Sequence, residues 1–232
     1  MYWIIVIVAV LVLTFLVWAS ADVGSNIYLK SVCKVKTRQN VVALTFDDGP
    51  DVLMTPRILD VLKEYNIKGT FFLIGRNVEE CPELVRRIVA EGHTVANHTY
   101  SHLGYFPLSD ACKVREEIQK CSEAIMSVVG VRPVLFRPPF GVTNPIIGKV
   151  VKRMRLQTIG WSIRSLDTIK NRRRDTVRKA VIKQLHNGAI ILLHDRCQDA
   201  DVLLRNLIIS IRESGYSFTT VDQLINESAY EK

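Results

Sequence analysis

The sequence predicts one α/β domain, a single compact, distorted or incomplete (β/α) barrel with a parallel sheet, preceded by one N-terminal hydrophobic helix. From residue 41 onward, apolar strand-like runs alternate with amphipathic helical patterns, which is typical of a parallel sheet. About seven such units in about 190 residues fit one barrel better than two domains. Polar clusters follow these runs, where parallel α/β folds build their functional sites.

The composition is that of a folded chain of 232 residues, of which 48% are hydrophobic and 23% are charged. The net charge is +8, but no nucleic-acid-binding module is recognisable, so we expect no nucleic-acid partner. The densest basic run, 172–174, precedes a helical pattern, which favours an exposed helix start over a binding patch. Five cysteines without a CxxC pair exclude zinc-finger and thioredoxin-like proteins, and buried or half-buried free thiols are favoured over disulfides.

Residues 1–21 are predicted to be a membrane anchor or a signal peptide. The segment 2–19 carries one clearly polar side chain, Thr14, and no charge. Its length of 18 residues is just enough for a helix to span a bilayer. Ala19-Ser20-Ala21 has the form of a signal-peptide cleavage site, whereas the absence of Lys and Arg before the apolar run favours an uncleaved anchor. Both alternatives stay open, and so does the orientation in the membrane.

Strands and helices can be assigned along the rest of the chain from hydrophobic periodicity. We expect strands near residues 41–46, 70–74, 93–96, 134–136, 158–163, 189–193 and 218–221. We expect helices over 55–65, 82–90 and 108–129, from 145, from 176, over 201–213 and in a short C-terminal segment. Residues 22–39 are then a polar, basic connector, and residues 40–226 form the folded domain.

Two adjacent carboxylates, Asp47 and Asp48, end the first predicted strand within TFDDGP. Two negative charges at the end of a buried strand are costly without a nearby cation. The same residue types also form tight turns, so this motif alone does not separate a metal site from a turn.

Two histidines, His98 and His102, follow the third predicted strand within NHTYSH. Placed at i and i+4 on a helical turn, they would share one face, so that both imidazoles reach one metal ion. A carboxylate plus two histidines leaves coordination positions open, as a catalytic site requires. These N and O ligands favour Zn²⁺, with Co²⁺, Ni²⁺ or Fe²⁺ also compatible.

Three further clusters lie at predicted strand ends: the FRPPFG segment 136–141, the segment from Gly160 to Asp167, and the LLHD segment 192–195. Each alone is a weak signal, because a proline-rich turn, a core aromatic and a core histidine would look the same. His194 nevertheless closes an apolar strand, which is a suitable place for a general acid.

Taken in chain order, TFDDGP, HTYSH, FRPPFG, GWSIRSLD and ILLHD resemble the five motifs of the NodB-like polysaccharide deacetylases, the fourth carbohydrate esterase family. The resemblance covers about residues 40 to 225. It implies that Asp47 is the general base and that Asp48, His98 and His102 are the metal ligands. It further implies three roles: Arg137 steadies the base, Leu192 forms a wall of the acetyl pocket, and His194 is the general acid.

Three positions depart from the pattern that the resemblance implies. Phe140 stands where the family often has Tyr, which acts through its backbone N–H, so this exchange should be tolerated. Many members read Asp-Ser-x-Asp-Trp in the fourth motif, where the first Asp orients the acid histidine. Here Arg164 replaces that Asp and Thr168 replaces the Trp that contacts the sugar, while Asp167 is retained and is a candidate for the orienting role.

The resemblance therefore implies a membrane-anchored or exported hydrolase that removes acetyl groups from an N-acetylated amino-sugar glycan, such as peptidoglycan or a chitin-like oligosaccharide. The catalytic domain is then expected to face the periplasm or the cell exterior. The main alternative is a non-catalytic, metal-binding glycan-recognition module, which the altered fourth motif would favour. The sequence leaves the glycan, the native metal and the oligomeric state open.

Overall fold

One curled sheet of parallel strands forms the domain in residues 1–231, the part of the chain that the computed structural model describes. The strands are β1 (Ser31–Val32), β2 (Val41–Asp47), β3 (Thr70–Leu73), β4 (Thr94–Asn97), β5 (Leu135–Phe136), β6 (Gln157–Ile159), β7 (Ile163–Arg164), β8 (Ala189–His194) and β9 (Ser217–Thr219). Their order is β1-β6-β5-β4-β3-β2-β8-β7, and β9 pairs with the first half of β2.

The strand order shows why the barrel is incomplete. β6 and β7 are consecutive in the chain, yet they lie towards opposite ends of the sheet and are joined only by residues 160–162. The sheet therefore curls round without closing, which confirms the predicted distorted or incomplete barrel with a parallel sheet.

Helices follow most of the strands. They are α1 (Tyr2–Ala21), α2 (Met54–Glu64), α3 (Gly75–Glu80), α4 (Pro82–Ala90), α5 (Ala111–Val129), α6 (Pro145–Arg153), α7 (Arg174–Lys183), α8 (Ala200–Glu213) and α9 (Val221–Ile225). The longest helix of the domain, α5, begins at a capping residue, Asp110, whose side chain accepts the Lys113 N–H at 2.8 Å. It ends at Gly130, which adopts a left-handed conformation.

Side chains alternate along the central strands and fill two apolar layers. Val42, Leu44 and Phe46 of β2 belong to the larger cluster, which packs against helices on the outside of the sheet. Ala43 belongs to a smaller cluster with Phe72 and residues of the other central strands. Because both faces are covered, these strands read as continuous apolar runs.

The carboxyl ends of the central strands lie side by side at one edge of the sheet, and the candidate site residues lie at this edge. In the register between β2 and β8, Asp47 lies opposite His194. In parallel α/β folds the carboxyl ends of strands form one rim, where loops carry the chemistry.

The structure corrects several sequence-based expectations about elements. The strand expected over 158–163 is two strands, because β6 pairs with β1 and β5 whereas β7 pairs with β8. The connector is not free of the domain, since β1 pairs with β6. The short helix α3 was not predicted. All five cysteines are free, but Cys112 is exposed, so the expectation of buried thiols is wrong there.

The N-terminal helix α1 is 20 residues long, with a mean hydropathy of 2.9, so by length and composition it can cross a membrane. Its last turn is attached to the domain. The Thr143 N–H donates to the Ser20 carbonyl at 2.9 Å, and Ser25 Oγ donates to the Ala19 carbonyl at 2.8 Å. Ala19 is fully buried, so the end of this helix is packed on the domain.

Candidate active site

The strand ends bring the predicted site residues around one small cleft of about 130 Å³. Asp47 and Asp48 come from β2, His98 follows β4, and His194 ends β8. The side chains that line the cleft are Asp47, Asp48, His98, His102, Phe140, Trp161, Arg164, Thr168, Leu192, His194 and Arg196. Arg137 and Asp167 lie just behind it and contact two of these residues.

Asp48, His98 and His102 form a group that fits a divalent metal ion. Asp48 Oδ1 lies 3.5 Å from His98 Nε2 and 3.4 Å from His102 Nε2. Metal–ligand bonds of 2.0–2.2 Å at tetrahedral angles separate ligand atoms by about 3.4 Å. The three potential ligand atoms all lie within 4.8 Å of one another, so one ion can contact all three.

The orientation of His98 and the pKa of His102 also suit metal binding. His98 Nδ1 lies 2.8 Å from the Arg137 carbonyl oxygen. Because a carbonyl only accepts hydrogen bonds, Nδ1 carries a proton, and Nε2 is the ring atom directed at Asp48. Burial lowers the pKa of His102 to about 4, so its imidazole is neutral near pH 7.

The histidine pair converges from a loop, and the helical turn expected from its spacing is wrong. Thr99 and His102 have φ values of 69° and 48°, which interrupt any helix. Asn97 fixes the loop: its Oδ1 accepts the Thr99 N–H at 2.9 Å, and its Nδ2 donates to Ser122 Oγ at 2.9 Å. The buried Glu117 accepts the Ser101 N–H at 2.9 Å. The loop is therefore attached to α5.

The side chains of Asp47 and Asp48 contact different partners, Arg137 and His98. They diverge because the backbone of Asp48 is left-handed, with φ of 76°. Asn77 holds this conformation by donating to the Asp48 carbonyl at 3.0 Å. Burial opposes ionisation of Asp48, but its hydrogen bond and charge interaction with His98 outweigh burial and lower its pKa. Left-handed backbone at non-glycine residues is costly, and it is concentrated at this site.

Asp47 forms a buried ion pair with Arg137, whose NH1 donates to Asp47 Oδ1 at 2.6 Å. Arg137 is fully buried, and its other N–H groups donate to Thr45 Oγ1 and to the carbonyls of Ile159 and Gly160 at 2.8–3.0 Å. A guanidinium with all these acceptors occupies one fixed position. It therefore holds one oxygen of Asp47, while Oδ2 lies 3.8 Å from His98 Nε2.

His194 is held by Asp167, the retained carboxylate of the fourth motif. Its Nδ1 lies 2.8 Å from Asp167 Oδ1, and its backbone N–H donates to Asp167 Oδ2 at 2.8 Å. Burial alone would lower the pKa of His194, but the hydrogen bond and the charge of Asp167 outweigh it and raise this pKa. The contact to the histidine thus comes from Asp167, and Arg164 instead faces the cleft.

Phe140, Trp161 and Leu192 form the walls of the cleft. The Phe140 ring meets the His102 ring edge-on, with centroids 4.8 Å apart. Gly141 has φ of 71°, and a Cβ there would lie 2.3 Å from the Trp161 ring, so glycine is needed for Trp161 to approach. Leu192 is almost fully buried.

Three polar residues near the site were not predicted to act there. Arg196 donates from Nε to Asp48 Oδ2 at 2.6 Å, and its position next to the LLHD motif was the only signal. Asn77 lies on α3, which is too short for a periodic pattern. Asn97 was noticed only as part of the histidine motif, because its partners on α5 lie more than 20 residues away.

Comparisons with known proteins agree with this geometry. A family model described as "Polysaccharide deacetylase" matches residues 34–159. The chain is 36% identical over 88% of its length to the peptidoglycan-N-acetylglucosamine deacetylase PgdA of Listeria monocytogenes, of which it spans only 42%. It is 34% identical over 82% of its length to the peptidoglycan-N-acetylmuramic acid deacetylase PdaA of Bacillus subtilis, spanning 73% of that protein.

The fold is also similar to that of solved structures. The Bc1960 peptidoglycan N-acetylglucosamine deacetylase superposes with a TM-score of 0.81 at 33% identity, covering 86% of this chain and 94% of that one. The family match covers more than half of the chain, and the relatives share more than 30% identity over most of it. By fold, by motif order and by sequence, the chain belongs to the polysaccharide deacetylase family.

Proposed function

We propose that the chain hydrolyses the acetamido group of an N-acetylated amino sugar in peptidoglycan, in a metal-dependent reaction. The observation that carries this proposal is one cleft with three elements of different chemistry. They are a metal-capable group, a buried carboxylate held by Arg137, and a histidine held by Asp167. Acetamide hydrolysis needs these three: an electrophile-activating cation, a base and an acid.

Asp48, His98 and His102 would hold the metal. When bound, a divalent cation supplies Lewis acidity, which polarises an acetyl carbonyl and makes water more acidic. The donor set of one carboxylate and two imidazoles favours Zn²⁺ and is compatible with Co²⁺, Ni²⁺ or Fe²⁺.

Asp47 acts as the general base. It accepts a proton from the water that attacks the acetyl carbon, and Arg137 keeps its carboxylate aligned. The Phe140 backbone N–H donates to the oxyanion that develops on the acetyl oxygen. Leu192 contacts the acetyl methyl group from the wall of the cleft.

His194 acts as the general acid. Asp167 orients its ring through Nδ1, which leaves Nε2 to donate a proton to the sugar nitrogen as the C–N bond breaks. The raised pKa keeps the imidazolium populated at higher pH. The products are acetate and a free amine, and no covalent intermediate with the protein forms.

The location follows from α1. We infer that α1 anchors the chain in a membrane and that the domain lies on the extracytoplasmic side, where peptidoglycan is found. The names of the relatives, which include deacetylases of both N-acetylglucosamine and N-acetylmuramic acid residues, support peptidoglycan as the substrate.

The test measures acetate release by the full-length chain in detergent micelles from N-acetylated peptidoglycan, with and without a chelator. We expect release with Zn²⁺ or Co²⁺ and none after chelation. Asp47→Asn should bind the metal but lose at least a hundredfold in turnover, whereas Asp201→Asn, on α8, should behave as the unmodified chain does. Metal binding without acetate release from any glycan would instead support the non-catalytic recognition module.

A further inference from the structure

One wall of the cleft carries positive charge that the proposed hydrolysis does not use. Arg164 and Arg196 both line the cleft. Among residues 1–231, the Arg164 guanidinium has no carboxylate within ion-pair distance, and it lies 5.8 Å from the centroid of the Trp161 ring. An exposed guanidinium beside an aromatic ring keeps its N–H donors available for a ligand.

Arg196 supplies a second cation at the same cleft. Its Nε donates to Asp48 Oδ2, while its side chain is 58% exposed. Within the described residues, its two terminal amino groups make no hydrogen bond to protein. The pair with Asp48 therefore positions this guanidinium and leaves its outer edge open.

The loop after β7 explains why Arg164 faces the cleft while Asp167 does not. Leu166, which lies between the two residues, has a left-handed backbone with φ of 57°. Ser165 Oγ accepts the Asp167 N–H at 3.3 Å, and Asp167 then turns inward to His194. Asp167, the one carboxylate of the loop, is paired with His194. The outer face of the loop therefore keeps the positive charge of Arg164.

Thr168 provides space beside that charge. It lines the cleft with a small, exposed side chain at the position where the resemblance placed a tryptophan. A shorter side chain leaves room for a substituent on the sugar ring that carries the acetamido group. The cleft thus combines room for a substituent with two guanidinium groups around it.

We propose that Arg164, supported by Arg196, binds an anionic substituent of the glycan, a carboxylate or a phosphate, so that the cleft selects acidic amino sugars. This proposal rests on the proposed deacetylation of that glycan and names its chemical class. Guanidinium groups bind both anions through paired hydrogen bonds, so the two sources share one recognition chemistry.

The decisive experiment compares three N-acetylated oligosaccharides with the metal-loaded full-length chain in detergent. The first carries a lactyl carboxylate on alternate sugars, the second is the same oligomer with that carboxylate amidated, and the third is carboxylate-free with a sugar phosphate. We expect kcat/KM to be about tenfold higher for an acidic oligomer than for the amidated one. Comparing the carboxylate-bearing oligomer with the phosphate-bearing one shows which of the two anions the cleft prefers.

Arg164→Gln should remove that preference, mainly through KM, by lowering kcat/KM for the acidic oligomers about tenfold more than for the amidated oligomer. Arg164→Lys should restore part of it, because the charge returns without the paired donors. Thr168→Trp should impair all three of these oligomers more than an unsubstituted N-acetylated oligomer, which is measured with this variant as a fourth substrate. Arg153→Gln, an exposed arginine on α6, is the matched control and should change nothing.

Binding of the same oligomers to the metal-loaded Asp47→Asn chain is measured in parallel, so selectivity is judged even if no acetate is released. The anion site is supported if an acidic oligomer binds more tightly than the amidated one and if Arg164→Gln abolishes this difference. That result does not depend on turnover. Equal affinity for acidic and amidated oligomers, or equal losses for both in Arg164→Gln, overturns it. Selective binding with no acetate release from the unmodified chain would contradict only the proposed hydrolysis.

Discussion

At the residue scale, the Asp167 carboxylate sets the acid–base behaviour of His194. The 2.8 Å contact to Nδ1 and the negative charge raise the pKa of His194 against the opposing effect of burial. In the proposed mechanism His194 must be protonated to act, so we expect its raised pKa to extend activity to higher pH.

Asp167→Asn should therefore lower the pKa of His194, because the amide keeps a similar shape but loses the charge. The alkaline limb of the kcat/KM profile should move to lower pH, and kcat should fall by about 10- to 100-fold. Acetate release measured from pH 5 to pH 10 checks this, with Asp201→Asn as control. An alkaline limb at the same pH in both variants would show that Asp167 plays no part in protonation.

Asp195, the neighbour of His194, is a buried carboxyl with a different role. It is fully buried, its Oδ2 accepts from Thr55 Oγ1 at 2.7 Å, and its Oδ1 has no partner within residues 1–231. Burial raises the pKa of Asp195 from 3.8 to about 7. In the folded protein this group therefore holds a proton that the unfolded chain releases above about pH 4.

Since the folded state binds the extra proton, the contribution of Asp195 to stability is greatest below about pH 4 and decreases as the pH rises towards 7. Asp195→Asn removes this dependence, because an amide does not titrate in this range. The difference in free energy of unfolding, variant minus unmodified chain, should therefore increase from pH 4 to pH 7, by about 4 kcal/mol at most. Chemical denaturation of the metal-free chains measures it. A difference that stays constant across this pH range contradicts the prediction.

At the scale of elements, the sequence predicted those strands and helices whose signal is local. β2 and β8 are continuous apolar runs because both of their faces are covered, and each appeared at its observed place within one or two residues. The division of residues 158–163 into β6 and β7 depends on pairing with different strands, β5 for one and β8 for the other, so no local pattern reveals it.

In the candidate site too, features with a local sequence signal were predictable, and features that depend on long-range contacts were not. Spacing and position at strand ends indicated Asp47, Asp48, His98, His102 and His194, because parallel strands gather their ends at one rim. The conformation of the histidine loop was not predictable, since an i, i+4 spacing fits a loop as well as a helix. Asn97 and Asn77, which fix the backbone, act through contacts distant in sequence, Asn97 to α5 and Asn77 to the Asp48 carbonyl.

The connector is packed on the domain, and Gly148 of α6 is one position where the two approach closely. A Cβ at Gly148 would lie 2.2 Å from the Tyr28 carbonyl oxygen. Gly148→Ala should therefore destabilise the chain by about 1–3 kcal/mol, although alanine ordinarily stabilises a helix interior. Thermal unfolding and protease cleavage within residues 22–33 measure the effect.

Gly104→Ala is the matched control, because an added Cβ there has no neighbour within 4 Å. It should leave both the unfolding temperature and the cleavage of the connector unchanged. If Gly148→Ala is as stable and as resistant to protease as Gly104→Ala, the connector is not packed as described.

At the scale of the whole molecule, the end of α1 and the cleft share one region of the fold. Thr143, which bonds to Ser20, lies three residues after Phe140 on the same segment. The helix is thus attached directly behind one wall of the cleft, not through a free linker. Under the proposed anchoring, the cleft would be held at a fixed position relative to the membrane surface.

We propose that the strand ends assemble one metal-dependent hydrolytic site. The most direct measurement titrates Zn²⁺ into the metal-free, full-length chain in detergent and follows the rate of acetate release from N-acetylated peptidoglycan. The rate should rise in proportion to bound zinc and level off at one equivalent per chain, and His102→Ala should weaken zinc binding by at least tenfold. Acetate release that does not depend on zinc, or zinc bound at one equivalent with no release, would contradict the account.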